Sequence, residues 1–432
     1  MESLWLALVQ HPQLVYQLIS LPFAFLFYML TKLRCFTLTH RYLYLAVGGC
    51  VLASATMGSY SSIVLVPALS SALLAYALHP LDVHRWMLGI QMCWQTFWHL
   101  SIQYSEYWLH ESSDSRLLLA VSALMLLTQR ATSMSMDLQE GKVPPPLTGG
   151  GVLGRACAVL PYLSYSLYFP ALLGGPLCSF AHFVHFVEQS AGSRPPSPLR
   201  VILSKTLSVG SLEWARRLLR DLLISYSPSL GCLGGLGQVL WVWTLSVALR
   251  MRYYSHWALS DCLNNAMGLG FSGCSQHGTP LWDGLSDGNP WMVEPSSRLS
   301  QYTRKWNRTT VTWLRRLIFQ RYSTTPLALT FAFSAWWHGL HPGQVVGFMV
   351  WAASVQADYR IHNHLRPLVE TKGKKLKLVY TCLSWVFTQL VIGCIMIVVE
   401  FRSVSSILLL CRMHACFFPL IYILTPLLMK WQ

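Results

Sequence analysis

Apolar runs recur along almost the whole chain, near residues 12–31, 42–59, 61–80, 86–105, 116–134, 157–180, 230–250, 326–341, 343–359, 376–400 and 404–429. A helix needs about 20 mainly apolar residues to cross the hydrocarbon core of a bilayer, with about 17–25 tolerated. The pattern predicts an all-α fold, a polytopic membrane protein of about eleven transmembrane segments, in one domain over residues 1–432. The runs at 326–341 and 343–359 are short and meet at His341-Pro342-Gly343. A tilted or re-entrant pair fits them, provided protein surrounds the turn. No long-period repeat is visible, which argues against transporters built from duplicated halves.

Between the runs lie segments of other character. Residues 137–155 hold three consecutive prolines and then three glycines, and residues 188–200 are rich in Pro and Ser, so both read as loops. Over 205–223, Leu212, Ala215, Leu218, Leu219 and Leu222 recur at helical spacing, while Arg216, Arg217 and Arg220 fall mostly on another face. That is the pattern of a helix lying in the membrane interface. Residues 261–303 show little periodicity and form the longest non-spanning region.

Composition narrows the class. Only 11% of residues are charged and 53% are apolar, less than half the roughly 25% charge of a soluble domain. Disorder, collagen-like repeats and coiled coils are excluded by the same figures. The net charge is +15, but the basic residues cluster between apolar runs, which suits lipid headgroups or an anionic substrate and not a nucleic acid. Twelve cysteines are scattered with no CxxC pair; they read as small buried hydrophobes, not a disulfide framework or a zinc site. The first apolar run lacks a basic n-region and a cleavage site, and reads as a retained signal anchor.

Polar groups inside apolar runs are costly and therefore candidates for chemistry. His338 follows Trp336-Trp337 near the end of such a run. Imidazole is the usual general base near neutral pH, although a core histidine bonded to a neighbouring helix would have the same sequence. Asn307 lies 31 residues upstream in RKWNRTT. Its amide can stabilise an oxyanion without titrating. It also opens an N-glycosylation sequon and precedes an amphipathic helix that it would cap. Between Glu294 and Asp358 no acid occurs, while Arg298, Arg304, Lys305, Arg308, Arg315, Arg316 and Arg321 all do. Positive-inside topology and a cradle for a phosphate-bearing substrate both fit. The pairs His182/His185, His338/His341 and His362/His364 lack the adjacent histidines of a di-iron box and nearby carboxylates at metal spacing, so no metal is expected. No P-loop supports an ATPase.

An Asn in a basic, Trp-containing loop, followed about 30 residues later by Trp-His-Gly in an apolar run, resembles the membrane-bound O-acyltransferase family. The resemblance extends over residues 125–143, 161–180, 253–261, 304–320 and 331–348, in order. It implies a helical enzyme with a catalytic tunnel, reached by acyl-CoA from the cytosol and by a secretory-pathway acceptor from the lumen of the endoplasmic reticulum. Carried over residue by residue, Asn307 and His338 match the family's catalytic Asn and His. The stretches look most like the peptide-acylating branch, which implies transfer of a medium-chain group, typically octanoyl from octanoyl-CoA, to a serine near the N-terminus of a ghrelin-type peptide. No other cofactor is implied. A lipid acceptor such as a lysophospholipid is the alternative within the family. On that reading Arg304, Lys305 and Arg308 hold the CoA phosphates, and Trp306, Phe331, Trp336, Trp337 and Trp351 line the acyl channel, where packing between helices would use the same residue types.

Overall fold

The computed structural model describes residues 12–144, 151–189, 196–226 and 234–428. Helices occupy nearly all of the predicted apolar runs: α1 (Pro12–Lys32), α2 (Leu38–Met57), α3 (Ser62–Ala77), α4 (Pro80–Tyr107), α5 (Ser115–Gln139), α6 (Gly151–Ser166), α7 (Phe180–Gln189), α8 (Leu199–Tyr226) and α9 (Gly235–Met267). A two-stranded antiparallel ribbon follows, pairing Gly273 with Leu281 and Cys274 with Pro280. Then come α10 (Pro290–Val293), α11 (Leu299–Lys305), α12 (Arg308–Leu314), a π-helical turn at Arg315–Phe319, α13 (Pro326–His338), α14 (Pro342–Glu370), α15 (Lys374–Phe401), α16 (Val404–Cys411) and α17 (Phe417–Leu428). The chain packs as two compact units, one of residues 1–207 with 256–286 and the other of 208–255 with 287–432.

By simple length and hydropathy alone, three to four stretches qualify as spans among the described residues. Leu38–Ala77, Ser115–Gln139 and Lys374–Phe401 are long and apolar enough to cross a membrane, and the pair Val404–Cys411 and His414–Pro426, bent by 91°, adds a fourth at most. The long helices α4 and α14 bury polar side chains that lower their hydropathy, among them Gln91, Gln95 and His99 on α4 and Gln344 and Asp358 on α14. Helix α13 has 13 residues, about 20 Å of rise, too short for a core of about 30 Å. The apolar run 157–180 is not one helix either. Its helical part ends at Ser166, and Pro170 and Gly174-Gly175-Pro176 fall in the irregular stretch up to Ser179. The loop expected at 137–155 is narrower, since α5 runs to Gln139 and α6 starts at Gly151; residues 145–150 of it, and 190–195 of the loop at 188–200, lie outside the described residues.

In the first unit the helices pack around a core that includes Phe27, Leu45, Leu52, Leu124, Leu127, Phe169 and Phe183. Pro67 inside α3 has no N–H to give the Ile63 carbonyl, and the indole of Trp94 supplies that bond at 3.0 Å. The same kind of repair holds the irregular stretch after α6. Its carbonyls accept from Tyr16 Oη (Phe169 O, 2.8 Å), Arg130 Nη1 (Tyr168 O, 3.2 Å) and Tyr165 Oη (Cys178 O, 2.5 Å). Buried backbone without helical partners is stable in lipid only with such donors. Gly49 is required here, because a Cβ on it would lie 2.0 Å from the Leu167 carbonyl oxygen.

In the second unit α14 and α15 touch through glycine. A Cβ at Gly343 would meet the Val398 carbonyl oxygen at 2.5 Å, and one at Gly347 the Val399 Cγ2 at 2.4 Å. Small residues four apart let membrane helices approach at backbone distance. Buried charge fixes the rest. Arg250 is 1% exposed and binds Glu294 Oε2 at 2.7 Å and Gln389 Oε1 at 2.9 Å, while Tyr254 Oη donates to Glu294 Oε1 at 2.7 Å. Asp358 accepts from Tyr422 Oη (2.7 Å), Arg298 Nη2 (3.3 Å) and the Ser300 N–H (3.2 Å), so it serves the first turn of α11 from α14. Arg298 is thereby removed from the basic cluster the sequence suggested. Helix α8 covers the segment 205–223 and extends beyond it at both ends, and Leu218 and Leu222 are exposed on it.

Candidate active site

Asn307 occupies the junction between α11 and α12. Helix α11 closes with the Trp306 N–H on the Tyr302 carbonyl at 2.9 Å. The chain then turns through Asn307 at φ 47°, ψ 57°, a left-handed conformation that asparagine tolerates better than most residues. Although Asn307 stands where a cap would, its side chain makes no cap bond. Asp287 does that work: its carbonyl accepts the Arg308 N–H at 2.8 Å, and its Oδ1 accepts the Thr309 N–H at 3.3 Å and the Thr309 hydroxyl. The amide of Asn307 is left with a buried Oδ1 that has no partner. An orphaned buried acceptor costs about 1–3 kcal/mol, which a structural role alone does not explain. The cap reading fails.

His338 is the last residue of α13. The helix ends in a tight turn, with Gly339 at φ 127° and Leu340 at φ 61°, and both N–H groups return to the Ala335 carbonyl at 3.2 Å. Only glycine accepts the first of these angles readily. The imidazole is half-buried between two aromatic rings. Phe348 stacks on it at 4.9 Å and 26°, and Trp337 meets it edge-on at 4.7 Å and 66°. His341 is buried and precedes Pro342, the first residue of α14.

The aromatic residues expected to form an acyl channel divide into three groups. Phe331 and Trp351 join His338 around Phe348: Phe331 lies 5.9 Å from Trp351, and Trp351 is parallel to Phe348 at 6.2 Å and 4°. Trp337 is buried and packs on Trp313 at 5.2 Å, whereas Trp336 is 39% exposed and touches Phe333 at 6.0 Å. Trp306 sits among Tyr253, Tyr254 and Tyr302, with ring centroids 5.6–5.8 Å away. One bond links the histidine cluster to the asparagine segment, from Trp351 Nε1 to Thr303 Oγ1 at 2.8 Å. Of the basic candidates, Arg304 and Arg308 are exposed and Lys305 half-buried. Arg304 Nε donates to the Ser300 carbonyl at 3.1 Å. None of the three has a carboxylate partner among the described residues, so their charge is available to a ligand.

Sequence reasoning passed over Phe348, Asp287 and Glu294. Phe348 could have been found from its spacing to Trp351 on one helix face, and the two acids from their scarcity in an apolar chain. Asp287 also lies in Gly284–Gly288 (GLSDG), which has the GxSxG spacing of a hydrolase elbow. That motif needs a strand leading sharply into a helix. Here it follows a strand of two residues and precedes a helix of four, with Asp287 engaged in capping. Gly149–Gly154 (GGGVLG) has GxGxxG spacing, and its first two glycines lie outside the described residues.

The profile of the membrane-bound O-acyltransferase family matches residues 90–399. The chain belongs to that family. It is therefore a multi-pass membrane enzyme that transfers an acyl group to oxygen. It is 42% identical to the membrane-bound ghrelin O-acyltransferase MBOAT4 of Mus musculus, with 97% of this chain and 96% of the relative covered. The corresponding protein of Rattus norvegicus is 40% identical, with 96% and 95% covered. The membrane-bound glycerophospholipid O-acyltransferase 2 of Mus musculus is 29% identical over 62% of this chain and 56% of its own length.

Proposed function

We propose that this acyltransferase moves a medium-chain acyl group, octanoyl, from acyl-CoA to a serine hydroxyl of a ghrelin-type peptide at the endoplasmic reticulum membrane. Similarity to the two ghrelin-acylating relatives runs over nearly the full chain, whereas similarity to the glycerophospholipid enzyme leaves more than a third of it unmatched. The observation that supports the mechanism is the Asn307 side chain, which makes no cap bond because Asp287 caps α12, and whose buried Oδ1 has no partner.

His338 accepts the serine proton as the serine oxygen attacks the thioester carbon. General base catalysis of this kind contributes about 10²–10⁴-fold. The carbonyl oxygen becomes an oxyanion, to which the Asn307 Nδ2–H donates; one such donor is worth about 10²–10³-fold. Collapse expels the CoA thiolate, which takes the proton back from the His338 imidazolium. Phe331 and Trp351 flank the acyl chain, and Arg304, Lys305 and Arg308 pair with the CoA phosphates.

The test supplies membranes holding the enzyme with labelled octanoyl-CoA and one of three acceptors: a ghrelin-type peptide, the same peptide with its serine replaced by alanine, or a lysophospholipid. Label on the serine peptide alone is the expected result. Label on the lysophospholipid in preference to the peptide would assign the enzyme to the lipid branch.

A further inference from the structure

Helix α14 turns one face to His338 through Phe348 and Trp351, and another to an apolar groove that the acyl-transfer chemistry does not use. The groove has a volume of about 150 Å³. Val346 and Val350 of α14, Ile395 and Val398 of α15, Leu410 of α16 and Leu420 of α17 are among its walls, and no charged or hydroxyl side chain lines it. An apolar void of this size stays dry and takes up a hydrocarbon as large as benzene, so a segment of acyl chain fits. The groove is open at the surface, where Val346 is 39% and Leu420 53% exposed. Ile395 and Val398 fall in the last two turns of Lys374–Phe401, a helix long and apolar enough to cross the membrane, so the opening meets lipid tails.

A cation stands at one end of the groove. Arg402 follows directly on α15, at the end of the span and hence at head-group depth. On one wall it lies a turn beyond Val398. On the other, its carbonyl accepts the Gly343 N–H at 2.9 Å, and Gly343 lies a turn before Gly347. Arg402 is therefore about one helical turn, roughly 5.4 Å, from the groove along both walls. It is exposed and has no carboxylate partner among the described residues; the acid nearest in sequence, Glu400, is taken by Arg252 and Tyr253. An unpaired arginine at head-group depth beside a hydrocarbon groove matches, in charge and in depth, a phospholipid with a net negative head. A zwitterionic head would bring a second cation to the same place. We propose that the groove between α14, α15 and the α16–α17 pair holds one acyl chain of an anionic phospholipid whose phosphate pairs with Arg402.

The purified full-length enzyme is placed in phosphatidylcholine nanodiscs, and either phosphatidylglycerol or free octanoate is titrated in. The expected result is a saturable rise in unfolding temperature with phosphatidylglycerol, one such lipid retained per chain in native mass spectrometry, and a smaller response to octanoate. In Arg402→Gln the apparent affinity for phosphatidylglycerol falls about fivefold, and Arg402→Lys restores most of it. Leu420→Trp fills the groove from its exposed side with Arg402 in place, and the retained lipid is lost. If Arg402→Gln does not accumulate, Leu420→Trp decides. These readouts need no acyl transfer, so their failure is distinct from failure of the proposed reaction. The proposal is overturned if the wild type retains no phosphatidylglycerol, if octanoate stabilises it as well or better, or if Arg402→Gln or Leu420→Trp binds the lipid as the wild type does.

Discussion

The indole of Trp351 donates to the Thr303 hydroxyl across 2.8 Å, four residues before Asn307 and on the helix that presents Phe348 to His338. Thr303 Oγ1 in turn donates to the Leu299 carbonyl at 2.9 Å, so the hydroxyl both accepts and donates. The bond ties the two halves of the proposed site together. Thr303→Val and Trp351→Phe each remove it while keeping shape or aromaticity, and each is expected to cost about 1–3 kcal/mol in stability and lower the transfer rate. In the double variant the losses overlap by about 0.5–1.5 kcal/mol. Unfolding temperatures and initial rates for the four proteins measure this; strictly additive losses would mean the bond does not couple the segments.

Asp287 caps α12 through a carbonyl and a carboxylate oxygen. Asp287→Ala is expected to destabilise by about 0.5–2 kcal/mol, the usual cost of losing a cap. Because α12 begins beside Asn307, the transfer rate falls as well, with little change in the KM for acyl-CoA. Steady-state kinetics of that variant, with the unfolding temperature measured in parallel, check both effects.

Among the described residues Arg304 and Lys305 have no carboxylate partner. Replacing both by Gln is expected to raise the KM for acyl-CoA several-fold and leave that for the peptide nearly unchanged. Equal shifts for both substrates would point to membrane topology as their role.

Gly343 and Gly347 set the distance between α14 and α15. Gly343→Ala drives its Cβ against the backbone at Val398, so a loss of about 1–3 kcal/mol is expected. Gly347→Ala meets the Val399 Cγ2 at 2.4 Å and backbone no closer than 3.5 Å, and is expected to cost less because a side chain yields more readily than backbone. Unfolding temperatures in detergent rank the two.

Much of this fold is written in the apolar spacing, because a membrane helix must satisfy its own backbone and carry an apolar surface. Helices α2, α5 and α15 follow directly. The break after Ser166 was hidden because Leu, Tyr and Phe continue through it; what ends the helix is Pro and Gly, and what makes the irregular backbone tolerable is distant, on Tyr16 and Arg130. Asn307 and His338 stood out as polar groups in a basic loop and an apolar run. The cap on α12 did not, since its acceptor, Asp287, lies twenty residues upstream of Asn307 and only the folded chain brings them together. The sequence suggests Trp336 for the acyl channel with its neighbours, but a two-residue offset from His338 on α13 turns it to another face, where it touches Phe333.

The central claim is that Asn307 and His338 together carry the transfer. The most direct test is incorporation of labelled octanoyl from octanoyl-CoA into the serine peptide by His338→Ala, Asn307→Asp and Asn307→Ser, each at wild-type protein level. Alanine cannot take the serine proton, a carboxylate repels the developing oxyanion, and serine is too short to reach it. The account predicts a loss of at least about 10²-fold in all three, with normal accumulation in the membrane and no glycan on Asn307 in the native enzyme. Turnover near the wild-type level in His338→Ala, or in either asparagine variant, would contradict it.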